Sequence, residues 1–271
     1  MSAPANAANE GLSPHGRVYW ALADGWVLAK RNLIQIPRIP ELLVFATIQP
    51  VMFVLLFRYV FGGAIDVGGE SYVNYLMAGI FVQTVAFGAV TTGIGLAEDL
   101  KRGLVDRFRS LPMSRSAVLT GRTIADLVRN VFVVLVMLLV GLLVGFRPEA
   151  GVLGWSGAIG LLLLLSFSFS WIGATVALLL RSVEAVQSAG FIWLFPLTFA
   201  SSAFVQTDNM PSVLRAFANN QPITLIVDTV RNLLLDQPVG PEGWWALAWC
   251  LGILLVFVPL SVSLYRRVAA R

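Results

Sequence analysis

The sequence predicts an all-α polytopic membrane protein, on three observations. Of its 271 residues, 57% are hydrophobic and only 13% are charged, where a soluble domain carries about 25% charged residues. The apolar residues gather into six stretches, each near the roughly 20 residues a helix needs to cross the hydrocarbon core. The cations gather in alternate connections, as in a chain oriented by positive charge on its cytoplasmic side.

Met1–Gly16 is polar and rich in Ala, Asn and Ser. It reads as a disordered cytoplasmic tail. No short apolar stretch there ends in a cleavage site, so no signal peptide is expected. The segment 17–40 has a different pattern. Val18, Leu22, Trp26, Ala29, Leu33 and Ile36 recur at helical spacing, while Arg17, Asp24 and Arg31 recur every seventh residue on another face. This predicts an amphipathic helix, with Trp20, Trp26 and its cations suited to a membrane surface. Pro37 and Pro40 end it and turn the chain.

The expected spans are Glu41–Phe61, Tyr72–Ala97, Val118–Gly145, Gly154–Leu180, Ala185–Phe204 and Trp244–Leu264. Pro50 and Pro196 lie inside spans and predict kinks. Gly79, Gly88, Gly93 and Gly95 in the second span, and Gly157, Gly160, Ser166, Ser170 and Ala174 in the fourth, permit close helix contact. Packing is the expected use of these small residues, rather than a cargo path.

One side of the bundle carries Arg17, Lys30, Arg31, Arg38, the cations from Lys101 to Arg122, Arg181, Arg266, Arg267 and Arg271. The other carries Arg147, Arg215 and Arg231, with Arg58 near its edge. Both termini are therefore expected in the cytoplasm. The long connection Val205–Gly243 lies on the outer side. It predicts a short helix over Pro211–Ala218 and a second after Pro222. Ile223, Ile226, Val227, Val230 and Leu233 or Leu234 line one face of that second helix. Asp228 and Arg231 lie away from it. Both helices are too short to span, and fit interfacial or re-entrant positions.

Enzymatic chemistry is poorly provided for. The sequence has no G-x-x-x-x-G-K-[ST] phosphate loop, and its single histidine, His15, lies in the tail. The lone Cys250 sits in an apolar span, so neither an internal disulfide nor a His/Cys metal site is expected. Ser166, Ser168 and Ser170 have no nearby base and read as packing residues. Arg122, Asp126 and Arg129 share one helix face at i, i+4 and i+7 and can pair. No acidic residue stands near a span centre, which weighs against an ion-coupled pump.

The densest charge lies between the second and third spans, in Glu98–Arg115. Leu100, Leu104, Phe108 and Leu111 form an apolar stripe flanked by Lys101, Arg102, Arg107 and Arg109. Gly103 interrupts the segment and Pro112 ends it. A short amphipathic cytoplasmic helix follows, resting either on anionic headgroups or in a groove on a cytoplasmic partner.

Glu98–Arg122 resembles the cytoplasmic segment of ABC-2 type transporter permeases. Glu98, Lys101-Arg102-Gly103, Arg107-Phe108 and Leu111-Pro112-Met113-Ser114-Arg115 carry the resemblance. A second stretch, Asn220-Gln221-Pro222-Ile223-Thr224 followed by Asp228 and Arg231-Asn232-Leu233-Leu234, resembles the region before the last span in daunorubicin-resistance-type permeases. Gln221 departs from the usual Asn-Pro. The likeness covers Arg17 to Arg267.

It implies an all-helical fold with an N-terminal connecting helix (Trp20, Trp26, Arg31) and a coupling helix between spans two and three. Glu98, Leu100, Lys101, Arg102, Leu104, Arg107, Phe108 and Arg109 would then face a separate P-loop ATPase. Pro222, Asp228 and Arg231 would belong to the outer helices. The resemblance further implies two permeases, identical or different, and two ATPases in a bacterial inner membrane. ATP and Mg would sit on the partner, with no cofactor on this chain. The family exports drugs, lipids and similar amphiphiles, and no nucleic-acid partner is expected. Two rivals stay open on the residues alone: an ion-coupled transporter or channel acting without an ATPase, and a membrane enzyme using Asp208, Asp228 or Asp236.

Overall fold

A computed structural model describes residues 40–65, 67, 71–102 and 117–268, together with residue 30. The predicted tail, nearly all of the predicted N-terminal helix, and the charged segment from Gly103 to Ser116 lie outside the described residues. So do Trp20, Trp26, Arg31, Leu104, Arg107, Phe108 and Arg109.

Eight α-helices are described. They are α1 (Pro40–Leu55), α2 (Tyr72–Lys101), α3 (Ala117–Val144), α4 (Val152–Leu180), α5 (Val183–Phe199), α6 (Ser212–Asn220), α7 (Pro222–Leu234) and α8 (Glu242–Val268). A wider helical turn, Leu56–Phe61, extends α1. Pro40 opens α1, where a missing N–H costs nothing.

Four of these helices hold a segment long and apolar enough to cross a membrane: Tyr72–Lys101, Gly121–Val144, Val152–Leu180 and Glu242–Tyr265. The apolar helices 46–61 and 183–199 are shorter. The six expected spans thus appear as four full-length helices and two short ones. The fifth falls short because α5 stops at Phe199, soon after Pro196. The chain then continues as a buried, irregular turn through Ser201, Ser202, Ala203 and Phe204.

The centre of the bundle is α2, which is buried along most of its length and packs on α1, α3, α4, α5 and α7. Its glycines explain how it can be so central. A side chain at Gly79 would strike the Ala203 backbone, and one at Gly173 of α4 would strike the Ala89 carbonyl. These are sites of close backbone approach, as the small-residue reading expects.

Helices α3 and α8 turn apolar faces outward, including Leu135, Leu139, Leu143, Trp244, Leu251 and Leu255. Such faces fit lipid better than water.

The fourth span's polar residues serve packing, as expected. Ser168 donates to the carbonyls of Leu164 (2.7 Å) and Cys250 (3.1 Å). The Thr175 and Ser261 hydroxyls meet at 2.6 Å, joining α4 to α8. In the apolar interior of a bundle such groups need these partners.

Candidate functional site: a polar cleft between two ionic clusters

The two ends of the bundle are built differently. We call the end holding the buried turn Ser201–Phe204 the capped end, and the opposite one the charged end. At the capped end the turn's carbonyls have lost their helical partners and must be paired inside the protein. Tyr75 donates its hydroxyl to the Ser202 carbonyl at 2.8 Å, and Tyr72 donates to that of Phe204 at 3.0 Å. Gln221 donates its amide to the Leu197 carbonyl at 2.9 Å. Its oxygen also accepts from the Ile223 N–H at 3.0 Å, capping α7.

Arg231 closes this network. It donates to the Ser202 carbonyl (2.8 Å), to the Tyr75 carbonyl (3.2 Å) and to the Asp228 carboxylate (2.6 Å). Its guanidinium lies 3.6 Å from the centre of the Tyr75 ring. The Ser202 hydroxyl also donates to Asp228, at 2.6 Å. Burial pushes the Asp228 carboxyl above the ordinary carboxylate range, against the opposing pull of Arg231 and Ser202.

The spacing that sets Arg231 off the apolar stripe does not set it in water. Arg231 is only 7% exposed and points into the bundle. Helix periodicity placed it off the stripe, but α7 is covered by α2, α4 and α8, so its polar face is buried too. Pro222 is the first residue of α7, also buried. Gln221, the departure from Asn-Pro, proves to be the cap itself.

At the charged end, α2 runs on past Ala97, where its end was expected, to Lys101. Arg102 N–H closes the last turn on the Glu98 carbonyl at 2.9 Å. Glu98 and Arg102 form an exposed pair at 3.5 Å. Leu100, expected on the outward stripe, packs against the cluster of Leu96, Trp171, Val186 and Tyr265. The helix continues because its last turn still has a core to face.

From this end a ladder of alternating charges climbs inward. Asp99 meets Arg122 at 2.8 Å. Arg122 lies 3.8 Å from Asp126, and Asp126 pairs with Arg129 at 3.1 Å. Arg129 also donates to the Gly88 carbonyl at 3.3 Å. The pairing of Arg122, Asp126 and Arg129 agrees with their spacing. Asp99, from the neighbouring helix, was not foreseen. Two glycines make the ladder fit. A side chain at Gly95 would overlap the Arg122 guanidinium, and one at Gly88 would overlap the Asn130 amide. Asn130 in turn donates to Ser166 of α4 at 2.7 Å.

At the inner end of the ladder lies a cleft of about 420 Å³ among α1, α2, α3 and α5. Gln83, Thr84, Arg129 and Asn130 line it, with Gln49 and Gln187 at more exposed positions. Phe53, Phe87 and Phe191 supply aromatic wall. Phe53 stacks with Phe57 and Phe204 and touches Phe199, which joins α1 to the α5 turn on the capped side. The cleft was not foreseen from the sequence, although Gln49 and Gln83, amides inside the first and second spans, were its signals.

A model of the ABC-2 type transporter family matches residues 24–235. The chain belongs to that family. It is 35% identical, over 87% of its length and 83% of the relative's, to the daunorubicin resistance ABC transporter permease protein DrrB1 of Streptomyces coeruleorubidus. It is 27% identical to the probable doxorubicin resistance ABC transporter permease protein DrrC of Mycobacterium tuberculosis, over 82% and 80% of the two chains. A putative transport permease, ycf38 of Cyanophora paradoxa, is 26% identical over 79% and 75%. The chain is a multi-pass membrane permease of ABC-2 type.

Proposed function

We propose that this chain is the permease subunit of an ATP-driven exporter that moves amphiphilic cargo of drug, lipid or glycolipid type outward. The observation that carries this reading is the family match across most of the bundle, strengthened by relatives that bear the names of drug-resistance permeases. The sequence has no phosphate loop, so the energy must come from a partner. That partner is a cytoplasmic P-loop ATPase, present in two copies and carrying ATP and Mg. A second permease, identical or a sibling, completes the transporter.

In this reading α1 with its final turn, and α5 with the buried turn after it, complete six crossings. Residues 40–61 alone would extend about 33 Å as helix, near the hydrocarbon thickness of about 30 Å. Both termini face the cytoplasm of a bacterial inner membrane. Helix α6, with Val213, Leu214 and Phe217 exposed, lies at headgroup level. The segment after Lys101 docks on the ATPase. Because Leu100 is packed within the chain, Leu104 and Phe108 carry the apolar contact, and Lys101, Arg102, Arg107 and Arg109 steer it. The ion-coupled alternative loses ground, because Asp126 and Asp228 are each matched by an arginine.

The test is Phe108→Ala and Leu104→Asp in the complex with its ATPase. Both should cut cargo-stimulated ATP hydrolysis and export severalfold, while the permease still inserts and purifies normally. Full export and full stimulation in both variants would refute the docking role.

A further inference from the structure

The cleft contains polar groups that the fold itself leaves unused. Gln83 is only 4% exposed, yet neither its amide nitrogen nor its oxygen meets a partner. Thr84, 8% exposed, has an unpartnered hydroxyl beside it. A buried polar group without a partner costs stability. Two such residues on one wall of one cleft mark a place that needs something from outside the chain. Elsewhere in the bundle, Ser166, Ser168, Thr175, Arg231 and Gln221 meet internal partners, while the unpartnered atoms of Asp126, Trp171 and Thr198 lie singly, outside the lining of the cleft.

The chemistry of the walls narrows the occupant. An amide presents a donor and an acceptor together, so Gln83 suits hydroxyl and carbonyl groups. Phe53, Phe87 and Phe191 suit an apolar or aromatic body. Charge decides the rest. Among the described residues, no carboxylate lines the cleft. The ladder Asp99–Arg122–Asp126–Arg129 is neutral in sum, but its positive terminus, Arg129, is the member on the cleft wall. At short range in a low-dielectric interior, that end repels a cation and favours an anion.

Resting on the exporter reading above, we propose that the cleft is a cargo subsite for an uncharged or anionic, hydroxyl- or carbonyl-bearing head group on an aromatic or apolar body, and that Gln83 reads that group. Gln83 is a specificity residue here, not a residue of the fold.

The experiment uses the permease reconstituted with its ATPase in lipid vesicles and two membrane-impermeant probes. One is a dihydroxyanthraquinone sulfonate; the other is the same ring system bearing a trimethylammonium group. Binding is read by probe fluorescence, movement by ATP-dependent uptake. The wild type should bind the sulfonate about tenfold more tightly than the ammonium probe, and move it. Gln83→Leu should weaken sulfonate binding about tenfold without lowering the melting temperature, because it removes an unpaired amide. A structural glutamine would lose both together. Gln83→Glu should shift the preference towards the ammonium probe. The subsite is overturned if Gln83→Leu binds and moves the sulfonate like the wild type, or if the wild type prefers the ammonium probe. If the wild type moves neither probe with ATP while the Gln83 contrast in binding persists, the exporter reading fails, and the cargo role with it.

Discussion

The same four-residue device, Asp-x-x-Arg on one turn of helix, occurs at both ends of this bundle. Asp228 and Arg231 use it at the capped end, and Asp126 and Arg129 at the charged end. Their surroundings make them different objects. Arg231 spends its remaining donors on two backbone carbonyls and lies over a tyrosine ring. It ties the Ser202 carbonyl, which belongs to a turn that cannot pair itself, to helices α2 and α7. Arg129 has one backbone contact, at 3.3 Å, and Asp126 leaves one oxygen without a hydrogen bond. The first arrangement is saturated and fixes a shape. The second is under-saturated, and links the end of α2, where the proposed docking segment begins, to the wall of the cleft. Equal spacing in sequence therefore says little about stability or motion. The count of satisfied partners says more.

Removing the arginine from each pair should separate the two most sharply. Arg231→Met leaves the partly buried Asp228 without its charge partner and the Ser202 carbonyl with only the Tyr75 hydroxyl. It should cost about 2–3 kcal/mol and lower the melting temperature of the purified protein by several degrees. Arg122→Gln removes a part-buried partner from the ladder but leaves Asp126 on Arg129, and should cost about 1 kcal/mol. Its effect should appear instead as a severalfold loss of cargo-stimulated ATP hydrolysis. Equal stability losses in the two variants would erase the distinction.

The sequence made one of these ends far more legible than the other. Spacing alone placed Arg122, Asp126 and Arg129 on one face, because all three sit on one long helix. Asp99 joins them from α2, and no single-helix period can report a contact between helices. At the capped end spacing set Arg231 off the apolar stripe, on the side that is normally wet in a 13-residue amphipathic helix. Burial of α7 on both faces is a tertiary fact. The span cores and the order of helices followed from hydropathy, whereas the end of α2 did not. Charge at Glu98–Arg102 marked a boundary, while Leu100 still had Trp171 and Tyr265 nearby to pack against. The cleft was the least legible feature, since four helices that are separate in sequence build it.

Two glycines of α2 offer a finer comparison. Alanine in place of glycine within a helix gains up to about 1 kcal/mol from backbone entropy. At Gly79 the added methyl would meet the Ala203 backbone, which cannot retreat without moving the whole turn. Gly79→Ala should therefore destabilise by about 1–3 kcal/mol. At Gly95 it would meet only the tip of Arg122, a flexible side chain. Gly95→Ala should leave the melting temperature within a few degrees of wild type and still impair coupling, because the tip leaves Asp99. If Gly95→Ala retains full cargo-stimulated hydrolysis, the ladder is ornamental to transport.

The smallest single effect is at one of two helix caps. Ser182 caps α5 at the charged end, its hydroxyl oxygen accepting from the Ala185 N–H at 3.3 Å. The neighbouring Glu184 carboxyl is held below its ordinary range by the backbone N–H of its own turn and by the Ser182 hydroxyl. All of this faces outward, and water can replace much of it. Ser182→Ala should cost about 0.5–1 kcal/mol. Gln221 caps α7 in the same sense, but the same side chain also holds the Leu197 carbonyl at 2.9 Å and the Thr224 hydroxyl at 3.2 Å. Gln221→Ala strands those buried groups along with the cap, and should cost about 2–3 kcal/mol. Thermal melts of the two variants, in the same detergent, measure the ratio. A Ser182→Ala cost equal to that of Gln221→Ala would mean that the charged end is as tightly determined as the capped one. A ladder poised to move could not then be its organising feature.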